Sequence, residues 1–111
     1  MAKKIGEVQE INQNDIDSLV KKNKVAFIDF YADWCMPCVM MSPIIDELAQ
    51  SFSNKMSFFK INVDDNKDAS SKFKVMGIPT ILVFKEGRVV DRIVGAVSLD
   101  VLNERLKKYL S

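Results

Sequence analysis

Residues 25–31 read Val-Ala-Phe-Ile-Asp-Phe-Tyr, a nearly continuous apolar run that is too short for a typical helix and rich in strand formers. A strand without a polar face has to be covered on both sides, so a run of this kind predicts a central strand with helices above and below its sheet. The rest of the chain supplies those elements. Residues 7–11 form a short candidate strand. Asn14 is placed to cap a helix that has Asp15 and Asp17 in its first turn, Lys21 and Lys22 at its end, and a buried stripe of Ile16, Leu19 and Val20. After Cys35, the residues Met41, Ile45, Leu48 and Phe52 recur at helical spacing, with Asp46, Glu47 and Gln50 between them, and Pro43 inside this helix predicts a kink. Residues 56–63 are strand-like, 68–73 suit a short helix, and 80–84 and 89–94 flank Glu86-Gly87 as a hairpin. Ser98 can cap a last amphipathic helix with Leu99, Leu102, Leu106 and Leu110 on its apolar side and Lys107 and Lys108 at its negative end. This order of elements predicts an α/β fold, a mixed sheet with helices on both faces. The second and third strands, joined through a helix, should be parallel with a right-handed crossover.

A chain of 111 residues fits one domain, 1–111, and can bury roughly 65% of its unfolded surface, so it needs no disulfide to stabilise it. Sixteen Lys and Arg against fifteen Asp and Glu leave a net charge of +1, scattered rather than grouped in a stripe, which gives no case for nucleic acid or membrane binding. The basic start Met1-Ala2-Lys3-Lys4 is followed by Ile5-Gly6-Glu7-Val8-Gln9-Glu10, which cannot serve as the apolar core of a signal peptide, and no apolar run has transmembrane length. The expected compartment is therefore the reducing cytoplasm, where a closely spaced cysteine pair reads as catalytic or metal-binding rather than structural. Zinc is disfavoured, because a structural site takes four ligands and the chain has no His and only two Cys.

Those two cysteines lie in Trp34-Cys35-Met36-Pro37-Cys38. A spacing of three on a helix puts both sulfurs on one face, close enough to bond with modest adjustment. A closed loop of about four residues gives only ~2 kcal/mol by the chain-entropy formula, so the pair is a poor staple and a suitable switch. Pro37, which lacks an amide hydrogen, is tolerated in a first helical turn and sets Cys35 at the helix N-terminus with Cys38 one turn in. Free amides and the positive end of the helix dipole favour a thiolate at Cys35, which makes it the attacking sulfur. Cys38, expected to be more buried, would resolve the mixed disulfide. Asp29 interrupts the central strand, and burial there should raise its pKa toward neutrality, as suits a proton acceptor for Cys38. The plainer reading of Asp29 is a buried carboxylate that serves structure alone.

The stretch Phe27-Ile28-Asp29-Phe30-Tyr31-Ala32-Asp33-Trp34-Cys35-Met36-Pro37-Cys38 resembles the active-site strand and turn of the thioredoxin family. The resemblance extends along the chain: Pro43 falls where the family kinks its active-site helix, Lys60 where a lysine lies near the buried acid, Gly77-Ile78-Pro79-Thr80 where the family has its cis-proline loop, and Val94-Gly95-Ala96 at the edge of the substrate groove. It implies the thioredoxin fold, with a central mixed five-stranded sheet flanked by four helices on both faces. It also implies a cis Pro79 packed against the disulfide, an Ile78 backbone that pairs with an extended substrate segment, and a substrate surface of Trp34, Met36, Pro37, Gly77, Ile78, Pro79, Gly95 and Ala96. Lys60 would tune Asp29, or it simply snorkels to solvent. Met36 stands where the family most often has Gly, and Val39 where many relatives carry a positive residue that favours thiolate; both bear on redox potential. Tyr31 stands where a second Trp is common.

The resemblance implies a monomeric protein disulfide reductase that takes electrons from a thioredoxin reductase and delivers them to disulfide-containing client proteins. No glycine-rich dinucleotide fingerprint is present, so no bound cofactor is expected, only the redox-active disulfide Cys35–Cys38. The alternatives are a disulfide isomerase or oxidant of the same fold, and a redox-independent binding or chaperone subunit using the surface around Trp34, Met36 and Ile78. Most of Met40, Met41, Met56 and Met76 are expected to fill the core.

Overall fold

In the computed structural model, which describes residues 6–110, every residue from Val25 to Phe30 is buried. The basic start at Met1–Lys4, on which the signal-peptide expectation rests, lies outside the described residues. The elements are β1 (Val8–Glu10), α1 (Ile16–Lys22), β2 (Val25–Tyr31), α2 (Met36–Ser51), β3 (Ser57–Asn62), α3 (Lys67–Lys72), β4 (Thr80–Lys85), β5 (Arg88–Val94) and α4 (Leu99–Lys107). Single 3-10 turns, Gln13–Asp15 and Val63–Asp65, precede α1 and α3. The strands form one sheet in the order β1-β3-β2-β4-β5, with β2 at its centre. β1 and β2 run parallel to β3, while β4 runs antiparallel to both β2 and β5.

Alternation along β2 explains how the two layers form. Val25 and Phe27 join Phe58, Ile81 and Val83 under α2 and α4, which contribute Met41, Ile45, Leu48, Leu102 and Leu106. Ala26, Ile28 and Phe30 point the other way and join Phe59, Ile61 and Leu82 under Ile16 and Val20 of α1 and Ala69 of α3. Full burial of each large side chain stabilises by about 1.5–3 kcal/mol, and Phe27 adds a ring contact with Phe58 at 4.7 Å between centroids. Asp29 has the parity of Val25 and Phe27, so it faces α2.

Some local expectations are corrected. The cap before α1 is Asn12, whose side chain accepts from the Asn14 N–H at 2.9 Å while Asp15 accepts from the Asn12 N–H at 3.3 Å. This reciprocal pair winds a 3-10 turn ahead of the helix, and Asn14 lies inside that turn. β1 and β3 are shorter at both ends than the apolar runs suggested, because Ile11, Met56 and Val63 pack from flanking loops and turns. Met41 and Met56 fill the core, but Met40 and Met76 are exposed, Met76 at 94%. Pro43 sits exposed inside α2, which runs on to Ser51, and without an N–H it leaves the Val39 carbonyl lacking its helical donor. Among the described residues, no helix is long and apolar enough to cross a membrane.

Candidate active site

Strand register brings four chain segments to one end of the sheet. Tyr31 at the end of β2 lies beside Asn62 at the end of β3, Phe30 lies beside Thr80 at the start of β4, and Thr80 lies beside Val94 at the end of β5. The segments leaving β2, β3 and β5 and the one entering β4 therefore emerge together. The Gly95 N–H donates to the Pro79 carbonyl at 2.8 Å, from a left-handed backbone (φ 89°) that glycine adopts without strain. The Thr80 hydroxyl donates to the Gly77 carbonyl at 2.5 Å, and the Ile78–Pro79 peptide bond is cis.

Ala32, Cys35 and Cys38 form a small buried cluster at this junction, packed by Tyr31, Val63 and Ile78. Cys35 and Cys38 are joined as a disulfide, with Cα atoms 5.2 Å apart. Cys35 is the N-cap of α2: its N–H donates to the Ala32 carbonyl at 3.2 Å, its carbonyl accepts from the Val39 N–H at 3.1 Å, and its Sγ accepts from the Cys38 N–H at 3.3 Å. The Ile78 carbonyl oxygen lies 3.7 Å from the same sulfur. The expected difference in burial is absent, since both cysteines are 4% exposed, each covered by the other sulfur and by the surrounding loops. What separates them is the helix terminus. An amide N–H and the positive end of the dipole point at Cys35 Sγ, while Cys38 lies within the first turn.

Asp29 is 6% exposed, and its Oδ1 has no hydrogen-bond partner among the described residues. Desolvation pushes its carboxyl up to about 7, against a smaller downward pull from the Lys60 ammonium. The two residues are register partners across β2 and β3. With Cys38 and Ser42 they line a cleft of about 220 Å³, room for water between the carboxyl and the second cysteine. Lys60 is half-buried, its ammonium 5.5 Å from the centre of the Tyr31 ring, whose hydroxyl donates to the Glu10 carboxylate at 2.6 Å.

Two larger clefts flank the disulfide. One, of about 510 Å³, is lined by Trp34, Val63, Val75, Met76, Gly77 and Ile78. The other, of about 500 Å³, is lined by Met36, Pro37, Met40, Ile44, Ala96 and Val97. Trp34 is 71% and Met36 65% exposed, so both present apolar surface to solvent. The Trp34 indole N–H donates to Asp64 Oδ2 at 2.8 Å, which fixes the ring over the Val63–Asp65 turn. The sequence reading missed Asp64, Val63, Val75 and Met76. A usable signal existed for Asp64: an indole held in place needs an acceptor, and the carboxyl end of a parallel strand next to the reactive pair is where to seek one.

The thioredoxin family model matches residues 7–108. The chain is 40% identical over 103 residues to a thioredoxin of Staphylococcus aureus, covering 93% of this chain and 98% of that one. It is 39% identical over 107 residues to the chloroplastic M-type thioredoxin of Pisum sativum, covering 96% of this chain but only 62% of the pea protein. A single-site mutant of the thioredoxin from Halobacterium salinarum superposes with a TM-score of 0.90 at 32% identity, covering 100% of this chain and 97% of that one. The solution structure of the oxidised thioredoxin from Plasmodium falciparum gives 0.84 at 31% identity, covering 95% and 100%.

Proposed function

Because the chain belongs to the thioredoxin family, we propose that it is a protein disulfide reductase working through Cys35 and Cys38. The observation that carries this reading is the disulfide at the N-terminus of α2, with the Cys38 amide donating to Cys35 Sγ at 3.3 Å. In the reduced chain that amide and the helix dipole favour a thiolate at Cys35. The thiolate attacks one sulfur of a client disulfide, the S–S bond breaks, and the other client sulfur leaves as a thiolate. Cys38 then loses its proton to Asp29, directly or through a water in the shared cleft, and attacks Cys35 Sγ. The second client thiolate departs, the Cys35–Cys38 disulfide forms, and two electrons have passed to the client.

Lys60 keeps Asp29 able to release the proton near neutral pH. Trp34, Met36, Pro37, Gly77, Ile78, Pro79, Gly95 and Ala96 form the client surface, and an extended client segment pairs with the backbone at Ile78. The working group is the disulfide itself, with no bound cofactor, and a thioredoxin reductase restores the dithiol. The chain acts as a monomer in a reducing cytoplasm. The plastid location of the pea and spinach proteins belongs to those proteins, of whose lengths this chain spans 62% and 60%.

The thioredoxin names of these relatives favour net reduction over the isomerase or oxidant alternative. Insulin disulfide reduction, driven first by dithiothreitol and then by a thioredoxin reductase, tests the proposal. Wild type should precipitate the insulin B chain, Cys35→Ser should be inactive, and Cys38→Ser should stall as a mixed disulfide. Full activity of Cys35→Ser overturns the mechanism.

A further inference from the structure

We infer that Arg92 is a positioning residue, one that holds the client-facing loop 74–79 in place from outside the redox site. The inference rests on the reductase reading and extends it to what sets the shape of the client surface. Side chains alternate along β5, so Asp91, opposite Val83, and Arg92, opposite Leu82, face different layers. Asp91 turns to α4, where its carboxylate accepts from the Arg105 guanidinium and from the Tyr109 hydroxyl. Arg92 turns to the end of α3. Its Nη2 donates to the Phe73 carbonyl at 2.6 Å and its Nη1 to the Lys74 carbonyl at 3.5 Å.

Phe73 caps the C-terminus of α3, so Arg92 meets carbonyls at the negative end of a helix, where donors run out. Lys74 follows in a left-handed backbone (φ 55°), and the chain then turns out through Val75, Met76, Gly77 and Ile78 to Pro79. At its far end the loop is held by the Gly95 N–H on the Pro79 carbonyl, also from the β5 side. β5 thus grips both ends of the loop, with backbone at one and a guanidinium at the other. Between the grips lie Val75, Met76, Gly77 and Ile78, which line the cleft of about 510 Å³ together with Trp34 and Val63. A planar fork can span two successive carbonyls in a fixed geometry, whereas an ammonium holds them as a point charge.

Arg92→Gln should therefore loosen the loop and leave the cysteine pair alone. The expected result is a roughly threefold to tenfold rise in KM for insulin with kcat within about twofold, as when a charge-assisted contact is lost on the binding side of a reaction. Reduction of a small aromatic disulfide, which does not span the loop, should stay unchanged, and Arg92→Lys should recover part of the loss. Emission of Trp34, the only tryptophan, should shift in Arg92→Gln. An unchanged insulin KM, or an equal fall for insulin and the small disulfide, overturns the inference. If the wild-type protein fails to reduce insulin, the reductase reading fails separately. The positioning role is then read from amide exchange at Val75 to Ile78, which must quicken in Arg92→Gln, and unchanged exchange overturns it.

Discussion

Burying Asp29 makes stability depend on pH with a sign that few carboxylates share. Its carboxyl titrates near 7 in the folded chain against 3.8 when unperturbed, because desolvation outweighs the pull of Lys60. Between those values the folded chain holds a proton that the unfolded chain has released, so stability falls as pH rises from about 4 to about 7 and levels off above. At about 1.36 kcal/mol per unit the total is roughly 4 kcal/mol. Urea unfolding across that window should show the decline in wild type and a flatter profile in Asp29→Asn, which should be the more stable protein at pH 8. The same variant should release client mixed disulfides more slowly between pH 6 and 8. Parallel stability profiles would place the titration on another group. Asp29 was legible in the sequence because a charge inside an apolar run stands out. Arg92 and Asp64 were not, since a charged residue on an edge strand or a turn looks like any other solvated group until its partner is placed, and the partners lie 19 and 30 residues away. Met40 and Met76 misled for the opposite reason, as apolar residues that the fold leaves exposed beside the two clefts they line.

At the scale of elements, β5 and α4 are joined by Asp91, Arg105 and Tyr109. Partial burial alone would raise the Asp91 carboxyl, but donation from Arg105 and Tyr109 holds it below its ordinary value. The Asp91 side chain is only 11% exposed but Arg105 reaches solvent, so Asp91→Ala removes the shared acceptor of Arg105 and Tyr109 and should cost about 1 kcal/mol in urea unfolding at pH 7. A depressed acid contributes stability above its unfolded pKa and loses it as pH falls through the folded one. The gap between wild type and Asp91→Ala should therefore narrow below about pH 4. A gap that persists undiminished in acid would mean the loss is one of packing rather than of charge. α2 and α4 were readable from their helical periodicity and β2 from its nearly unbroken apolar run, because burial dictates each pattern. The 3-10 turns at Gln13–Asp15 and Val63–Asp65 were not, because each is set by an asparagine side chain, Asn12 or Asn62, accepting from a backbone N–H two residues on, with Asp15 answering Asn12 in the first. A local competition of that kind leaves no periodic trace.

Across the whole molecule, the fold and the redox switch must be energetically separable if one chain is to cycle between dithiol and disulfide. The core layers on both faces of the sheet are complete without the S–S bond, and the cysteine cluster sits at the end of the sheet rather than inside either layer. Closing a loop with a sequence separation of 3 removes little entropy from the unfolded chain, so the disulfide should add only about 2 kcal/mol to stability. Reduction should lower the unfolding free energy by that amount and leave the transition cooperative. Denaturant titrations with and without excess dithiothreitol, followed by circular dichroism, measure the difference. By the thermodynamic cycle, the same quantity is the extra tendency of the folded chain, over the unfolded one, to close the bond. A loss of about 5 kcal/mol or more, the upper end for disulfides, or unfolding on reduction, would make the pair a staple and defeat its role as a carrier. A loss near 2 kcal/mol means that folding favours the disulfide only modestly, which leaves reduction and reoxidation both within reach of ordinary thiol exchange.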